Sequence, residues 1–395
     1  MERSCGKPRA VIVSPRGLTH QLSRCCSYEF EDAVAAMEDA DLYTPVHTRS
    51  SRFLEKLRNR LADGTAAYRL VPTGTAIEIE RNYEIGFFLV QFARDLVSFD
   101  MIRRWRQRTR IAVCVIEELW AADIERFRHK LKRLQAFDHV FCGCAGSVAR
   151  LSAAIGRPVH YLPPGVDALK FAPNRDDNLR AIDVCAIGRQ SRETHRALVQ
   201  LSREAGLYYH HDTLVGPFTA REPSEHRRLL ANTIKHSRYF LANTAKIDQA
   251  HETQHQAEVG FRFFEGMAGG AVLLGTPPKT PVFDELFDWP DAVIEIPFHH
   301  SGIGETLAEL DRQPERLTRI RRDNLTGILR RHDWLYRWRR ILEHAGLPET
   351  RQMALREREL ERLKQRIVST AGAPTRPNGL QTVIGSNHSV TPAKT

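Results

Sequence analysis

Gly260-Phe-Arg-Phe-Phe-Glu265-Gly-Met-Ala-Gly-Gly270-Ala-Val-Leu-Leu-Gly275 sets a lone carboxylate in a largely apolar run, ahead of paired glycines and a short hydrophobic strand. Phe264, Met267 and Ala268 fall at the i, i+3, i+4 spacing of a buried helical stripe. Glu265 lies one position off that stripe, where it can point along a sheet edge. Gly269 and Gly270 are expected to end the helix in a left-handed cap and release 271–274 as a strand. A carboxylate buried there without partners would be costly or would neutralise. Its donors are either the paired hydroxyls of a ribose or a neighbouring arginine such as Arg262.

Outward from this stretch, short apolar runs alternate with helical patterns along most of the chain. In the first half, strands are expected at 10–14, 86–91, 110–116 and 139–142, and helices at 29–40, 123–134 and 147–155. His160-Tyr-Leu-Pro-Pro-Gly-Val-Asp167 closes that half sharply. A second series follows, with strands at 182–187, 213–215, 239–242, 271–274 and 293–296 and helices at 194–205, 224–236 and 262–268. Alternation of this kind is the βαβ signature of doubly wound parallel sheets. The expected fold is therefore α/β, with two Rossmann-like domains at 1–165 and 166–345 facing a central cleft. The stretch 304–345 reads as mostly helical, with breaks near Pro314 and Gly327. Met353, Leu360, Leu363 and Ile367 recur near heptad spacing, so 346–368 is expected as an amphipathic helix packed on the body or on another subunit. The Ser, Thr, Pro, Gly and Asn content of 369–395 predicts a disordered tail.

Composition narrows the setting. With 42% hydrophobic residues in 395, the chain can bury two cores. No apolar run approaches the roughly 20 residues of a membrane span, and no signal-peptide core is present. The seven cysteines are scattered and mostly inside apolar runs, which suits reduced thiols in a cytoplasmic protein. Cys142-Gly-Cys144 lacks the spacing and second ligand pair of a zinc site. A net charge of +10 favours an anionic partner. Arginine is densest between Arg312 and Arg366, which predicts either a solvated helical face or peripheral contact with a membrane surface. No motif that reads DNA or RNA is present.

Ligands of such sheets bind outside the carboxyl ends of the strands. The strand ending near Ile187 runs into Gly188-Arg189-Gln-Ser-Arg192 and then a helix. Glycine there permits close backbone approach, a helix N-terminus offers free N–H groups to phosphate, and Arg189 and Arg192 add charge. The loop through Glu258, Gly260 and Phe261 is expected to aim amides into the same cleft. From the first domain, the strand at 111–116 ends in Glu117 and Glu118, either of which can meet an acceptor hydroxyl or cap the next helix. His20, after the first strand, is a further candidate.

These residues carry a family resemblance. Leu162-Pro-Pro-Gly-Val-Asp167 with Phe171-Ala-Pro173 resembles the hinge segment of group-one nucleotide-sugar glycosyltransferases of GT-B fold. Phe263-Phe-Glu265-Gly-Met-Ala-Gly-Gly270 is similar to that family's donor-site helix, and the overall pattern resembles the branch with spore-maturation-type CgeB proteins. The resemblance runs from about Phe137 to Ala345 and is weak before that. It implies a nucleotide-diphospho-sugar held by the second domain, its ribose on Glu265 and its diphosphate on Arg189 and the Gly260 loop, with Arg192 or Arg196 as a second cation and Arg262 beside them. The family often carries another Glu eight positions before the ribose Glu, against the transferred sugar. Here that position is Ala257, and Glu258 is one residue late.

The chemistry implied is glycosyl transfer in which arginine takes the place of a metal, with no cofactor besides the sugar nucleotide. Asp39-Ala-Asp41 spells the D-x-D of metal-using transferases but falls at a helix end, where a solvated turn is expected. Glu118, Glu258 and His20 are the candidate catalytic residues; Gly188, Arg189, Arg192, Gly260, Phe261, Arg262 and Glu265 are the candidate donor site. Two other readings stand beside this one. The Ala257 departure suits a GT-B-shaped assembly protein without turnover, and the Arg-rich third suits a basic nucleic-acid or membrane-surface binder. The acceptor, whether glycan, lipid or protein, and any oligomer are not set by the sequence.

Overall fold

The computed structural model of the protein describes residues 8–46, 76–174, 180–212 and 218–370. Among the described residues, runs of β-branched and aromatic residues form one six-stranded parallel sheet in the first half: β1 (Ala10–Val13), β2 (Asp41–Tyr43), β3 (Tyr83–Phe92), β4 (Thr109–Glu118), β5 (His139–Cys142) and β6 (Val159–Tyr161). Their spatial order is β2-β1-β3-β4-β5-β6. Ile12 lies opposite Phe87, and Phe87 opposite Val113. All three are fully buried, because helices cover both faces of a parallel sheet. The two helices labelled in this half are α1 (Cys25–Glu38) and α2 (Val148–Ile155).

The second half repeats the plan with β7 (Ile182–Ala186), β8 (Tyr209–His211), β9 (Ser237–Leu241), β10 (Val272–Gly275) and β11 (Ile294–Glu295), in the order β8-β7-β9-β10-β11. Its helices include α3 (Arg192–Ala205), α4 (Pro223–Lys235) and α5 (Phe261–Ala268). Both sheets thus reverse strand order beside their first strand, and a ligand crevice forms at such a reversal. The strand expected at 213–215 lies outside the described residues, and β8 precedes it. The helix expected over 123–134 is instead a series of tight turns with one four-residue helix, Arg128–Leu131. Contacts such as the Lys130 amide to the Phe127 carbonyl at 2.8 Å tighten this segment and bring Ile124, Leu131 and Leu134 onto the core.

Phe264, Met267 and Ala268 are fully buried, and Gly270 adopts φ +68° where the stop was expected. Beyond β11 come α6 (Ile303–Asp311), α7 (Pro314–Arg331), α8 (Trp334–Ala345) and α9 (Arg351–Thr370). α7 runs straight through Gly327, contrary to the expected break. A Cβ there would stand 2.4 Å from the Trp289 ring, so the glycine serves packing rather than a kink. The break falls at Asp333, whose side chain caps α8 by accepting the Leu335 amide at 2.9 Å.

α8, placed by sequence in the second domain, packs on the first. Trp334 stacks on Phe30 of α1 at 4.4 Å between ring centroids, and Trp338 meets Phe87 edge-on at 5.2 Å. The Trp338 indole donates to Glu38 at 2.6 Å and that of Trp334 to Glu29 at 3.1 Å. α9 buries Met353, Leu360, Leu363 and Ile367 against this body, and Arg356 ties it to Asp333 and Asp167. The Arg-rich third is only partly the solvated face expected. Arg316 and Arg319 share Asp291, Arg331 takes Asp288, Arg339 takes Glu349 and Glu357, and the buried Arg337 donates to the carbonyls of Pro163 and Pro164. Among the described residues, no helix is long and apolar enough to cross a membrane.

Candidate functional site

The carboxyl ends of the two sheets enclose a cavity of about 740 Å³. Its second-domain wall begins with Gly188, just past β7, at φ +91°, a conformation glycine adopts without strain. The Gly188 amide donates to both carboxylate oxygens of Asp212 at 3.0 Å, which fixes the loop. Arg189 follows, half exposed and paired with Asp248 at 3.0 Å. Beyond β9, Asn243, Thr244 and Lys246 complete this rim. α5 begins at the same wall, and its N-cap Gly260 offers no side-chain cap. Among the described residues no side chain accepts from the first-turn N–H groups of this helix, and with the helix dipole they favour an anion. Phe261 and Arg262 also line the cavity.

Glu265 does not open onto it. Its side chain is fully buried; one oxygen accepts from Arg262 at 2.6 Å and the other from Arg227 of α4. Cys26 adds a thiol contact at 3.6 Å. Burial alone would raise the Glu265 pKa, but the two guanidinium groups outweigh it and hold the carboxyl below its usual range. The carboxylate expected to face the crevice and hold a ribose lies behind the cavity wall, with each oxygen accepting from a guanidinium group. What it does is aim Arg262 and Arg227, both of which line the cavity. Arg262 sits three residues away on the same helix and was legible from that spacing. Arg227 is 38 residues away and gave no local signal.

Arg227 also forms a bidentate pair with Glu29 of α1, so a buried charge cluster crosses from one domain to the other. Lys170 joins Glu29 at 3.1 Å. Burial would raise Glu29, but Arg227 and Lys170 pull its pKa down to about 2.

Glu258 is a second tie across the cleft. It is 4% exposed and accepts the amides of Ala145 at 2.9 Å and Gly146 at 2.8 Å, together with the Gln256 side chain at 2.6 Å. Burial raises its pKa against these hydrogen bonds. Glu258, expected as a catalytic residue, lines the cavity while its oxygens also anchor the first domain. Arg192, expected in the donor site, is exposed at the start of α3 and outside the cavity lining. That helix start is closed by Ser191, whose hydroxyl accepts the amides of Glu193 and Thr194. His20 is exposed and also outside the lining, its carbonyl accepting the Ala220 amide at 2.7 Å.

On the first-domain side, β4 delivers Glu117 and Glu118 to the cavity. Glu118 is half-buried, accepts from the Trp120 indole at 2.9 Å and lies 3.4 Å from the Lys246 ammonium. Glu117, beside it, accepts from the Ser27 hydroxyl. Burial pushes the Glu117 carboxyl up to about 8 despite that hydrogen bond. A carboxyl so shifted in a cleft has the profile of an acid–base group. Asp39 takes a left-handed turn at the end of α1, and Asp41 opens β2 and accepts from the Tyr83 hydroxyl at 2.6 Å. Among the described residues, the six cysteines are all free thiols.

Two Rossmann-like parallel sheets with carboxyl ends facing across a crevice define the GT-B architecture of glycosyltransferases. Residues 189–343, the wall that carries Arg189 and α5, match the family model described as glycosyl transferase-like. Among solved structures, an alpha-glucosyltransferase in complex with UDP and a 13-mer DNA containing a HMU base is similar in fold, with a TM-score of 0.50 and 11% identity, covering 86% of this chain and 99% of that one. An alpha-glucosyltransferase in complex with UDP-glucose and DNA containing an abasic site gives a TM-score of 0.48 and 11% identity over the same shares. No curated protein sequence matches the chain.

Proposed function

We propose that this protein transfers a glycosyl group from a nucleotide-diphospho-sugar to an acceptor hydroxyl. The observation that carries the reading is the convergence, on one wall of the interdomain cavity, of the uncapped N-terminus of α5 with Arg189 and Arg262. Charge builds on the leaving diphosphate as the anomeric carbon becomes oxocarbenium-like. Preorganised cations and amides aimed at that charge lower the barrier most when water is excluded. In this reading Arg189, Arg262 and the α5 amides take the diphosphate, and Gly188 lets the donor approach the backbone. Glu265 is a positioning residue that orients Arg262 and Arg227.

The acceptor enters from the first domain. Its oxygen bonds to the anomeric carbon as the bond from that carbon to the diphosphate breaks, and the diphosphate leaves with the electron pair. In this reading Glu118 takes the acceptor's proton, with Glu117 beside it. Arginine supplies the charge a metal would otherwise bring, so transfer is expected to survive chelation by EDTA. Titration of the protein with UDP-, GDP-, ADP- and dTDP-sugars, read by thermal shift and then by release of nucleoside diphosphate, tests the reading. Failure of every sugar nucleotide to raise the melting temperature sinks it.

One observation favours a second reading, a sugar-nucleotide-binding protein without turnover. Both oxygens of Glu258 already accept hydrogen bonds from the first domain and Gln256, so this carboxylate serves as an interdomain anchor rather than standing open to a transferred sugar. Binding without transfer or hydrolysis of a labelled donor selects it.

A further inference from the structure

A second chamber of about 430 Å³ opens beside the donor cavity. The two share Phe92, Arg94, Glu118, Trp120 and Lys246, so a ligand in the second chamber reaches Glu118 directly. Its far side is built by Asp123, Arg126, Phe127 and Glu252. Phe92 and Phe127 are half-buried and carry cations on their rings, Arg94 at 4.5 Å from the first centroid and Arg126 at 5.2 Å from the second. The lining thus sets three cations, Arg94, Arg126 and Lys246, against three carboxylates, Glu118, Asp123 and Glu252. The pairing is loose: Asp123 stands 4.0 Å from Arg126, and Lys246 stands 3.4 Å from Glu118.

We infer that this chamber is the acceptor subsite and that the acceptor is an oligosaccharide. The inference rests on the glycosyl-transfer reading above and names the substrate class that reading leaves open. A sugar ring has one face of C–H groups, which suits aromatic carbon, and a rim of hydroxyls that donate and accept alike. Only a ligand of that kind satisfies carboxylates and guanidinium groups side by side without carrying net charge. A nucleic acid fits worse. Phosphodiester binding draws on an excess of cations, and here three carboxylates in the same lining offset the three cations and would repel the backbone. With Glu118 at the junction of the two chambers, an acceptor hydroxyl held there lies between the carboxylate and the donor's anomeric carbon.

The full-length protein, loaded with UDP, should be applied to an array of cellotriose, maltotriose, laminaritriose, chitotriose and uronate-bearing oligosaccharides, with single- and double-stranded DNA as a further arm. Retention on one glycan class is expected. Asp123→Ala and Phe127→Ala should each weaken it about tenfold or more, whereas Phe127→Tyr retains it. Phe127 and Asp123 line only the second chamber, so sugar-nucleotide affinity, measured in parallel by calorimetry, should stay unchanged in all three. That second measurement separates failure of this inference from failure of the donor-site reading and reports on folding. No retained glycan, retention of DNA alone, or glycan retention indifferent to both alanine variants overturns the assignment.

Discussion

Arg227 of α4 and Glu29 of α1 form a bidentate pair at 2.9 and 3.1 Å across the two domains, with both side chains almost fully buried. The same guanidinium reaches Glu265, so the hinge-side contact and the donor-side wall share one cation. Domain orientation and the aim of the cleft arginines are therefore coupled through Arg227.

Removing either partner takes away part of the compensation of a buried charge, with Lys170 still beside Glu29 or Glu265 still beside Arg227. The loss therefore lies toward the lower end of the about 3–5 kcal/mol of a broken buried pair. Arg227→Ala should lose stability of that order in urea unfolding, and Glu29→Gln nearly as much. Because the Glu29 pKa is depressed in the folded state, its contribution is complete above its ordinary value of 4.5 and falls away as pH drops toward 2. The wild-type protein should lose this advantage over Glu29→Gln across that acid window.

Glu265→Gln tests a positioning role against a ribose-binding one. If the carboxylate aims arginines, the variant should weaken a nucleoside diphosphate by about one to two decades and leave the parent nucleoside nearly unaffected. Equal loss for both, measured by calorimetry, would return the ribose assignment.

Arg189 is half exposed and paired only with Asp248 at the rim, so Arg189→Ala should cost little stability. Its expected effect is about a tenfold rise in the dissociation constant for diphosphate-bearing ligands. A rise in Kd for the nucleoside as well would count against a phosphate role.

Glu117 has the opposite pH behaviour from Glu29. Its folded pKa is raised from 4.5 to about 8, so between those values the folded protein holds a proton that the unfolded chain has lost. Stability from this group is therefore lost as pH climbs from about 4.5 to 8. Glu117→Gln should gain on the wild type over that span in denaturation series at fixed ionic strength. In turnover, the variant should also lose any limb of the pH–rate profile near 8.

Periodicity made the sheets legible. A strand buried on both faces must be apolar throughout, and 139–142 was placed to the residue for that reason. The glycine stop at Gly270 was legible because a left-handed residue selects glycine. The site was read less well. Gly188, Gly260, Phe261 and Arg262 do line the cavity, since strand ends and helix starts can be marked locally. For Glu258 and Glu265 the hydrogen-bond partners, the amides of Ala145 and Gly146 and the guanidinium of Arg227, come from remote segments and left no local signal.

The amino-acid order alone settled most of the strands and helices and that two parallel sheets would meet at a cleft, because hydrophobic period and turn chemistry act over a few residues. Only the folded chain decided which charges face that cleft and which are consumed inside the protein. A buried carboxylate is neutralised by whatever cation the topology brings within hydrogen-bond reach, and that partner has no fixed distance along the sequence.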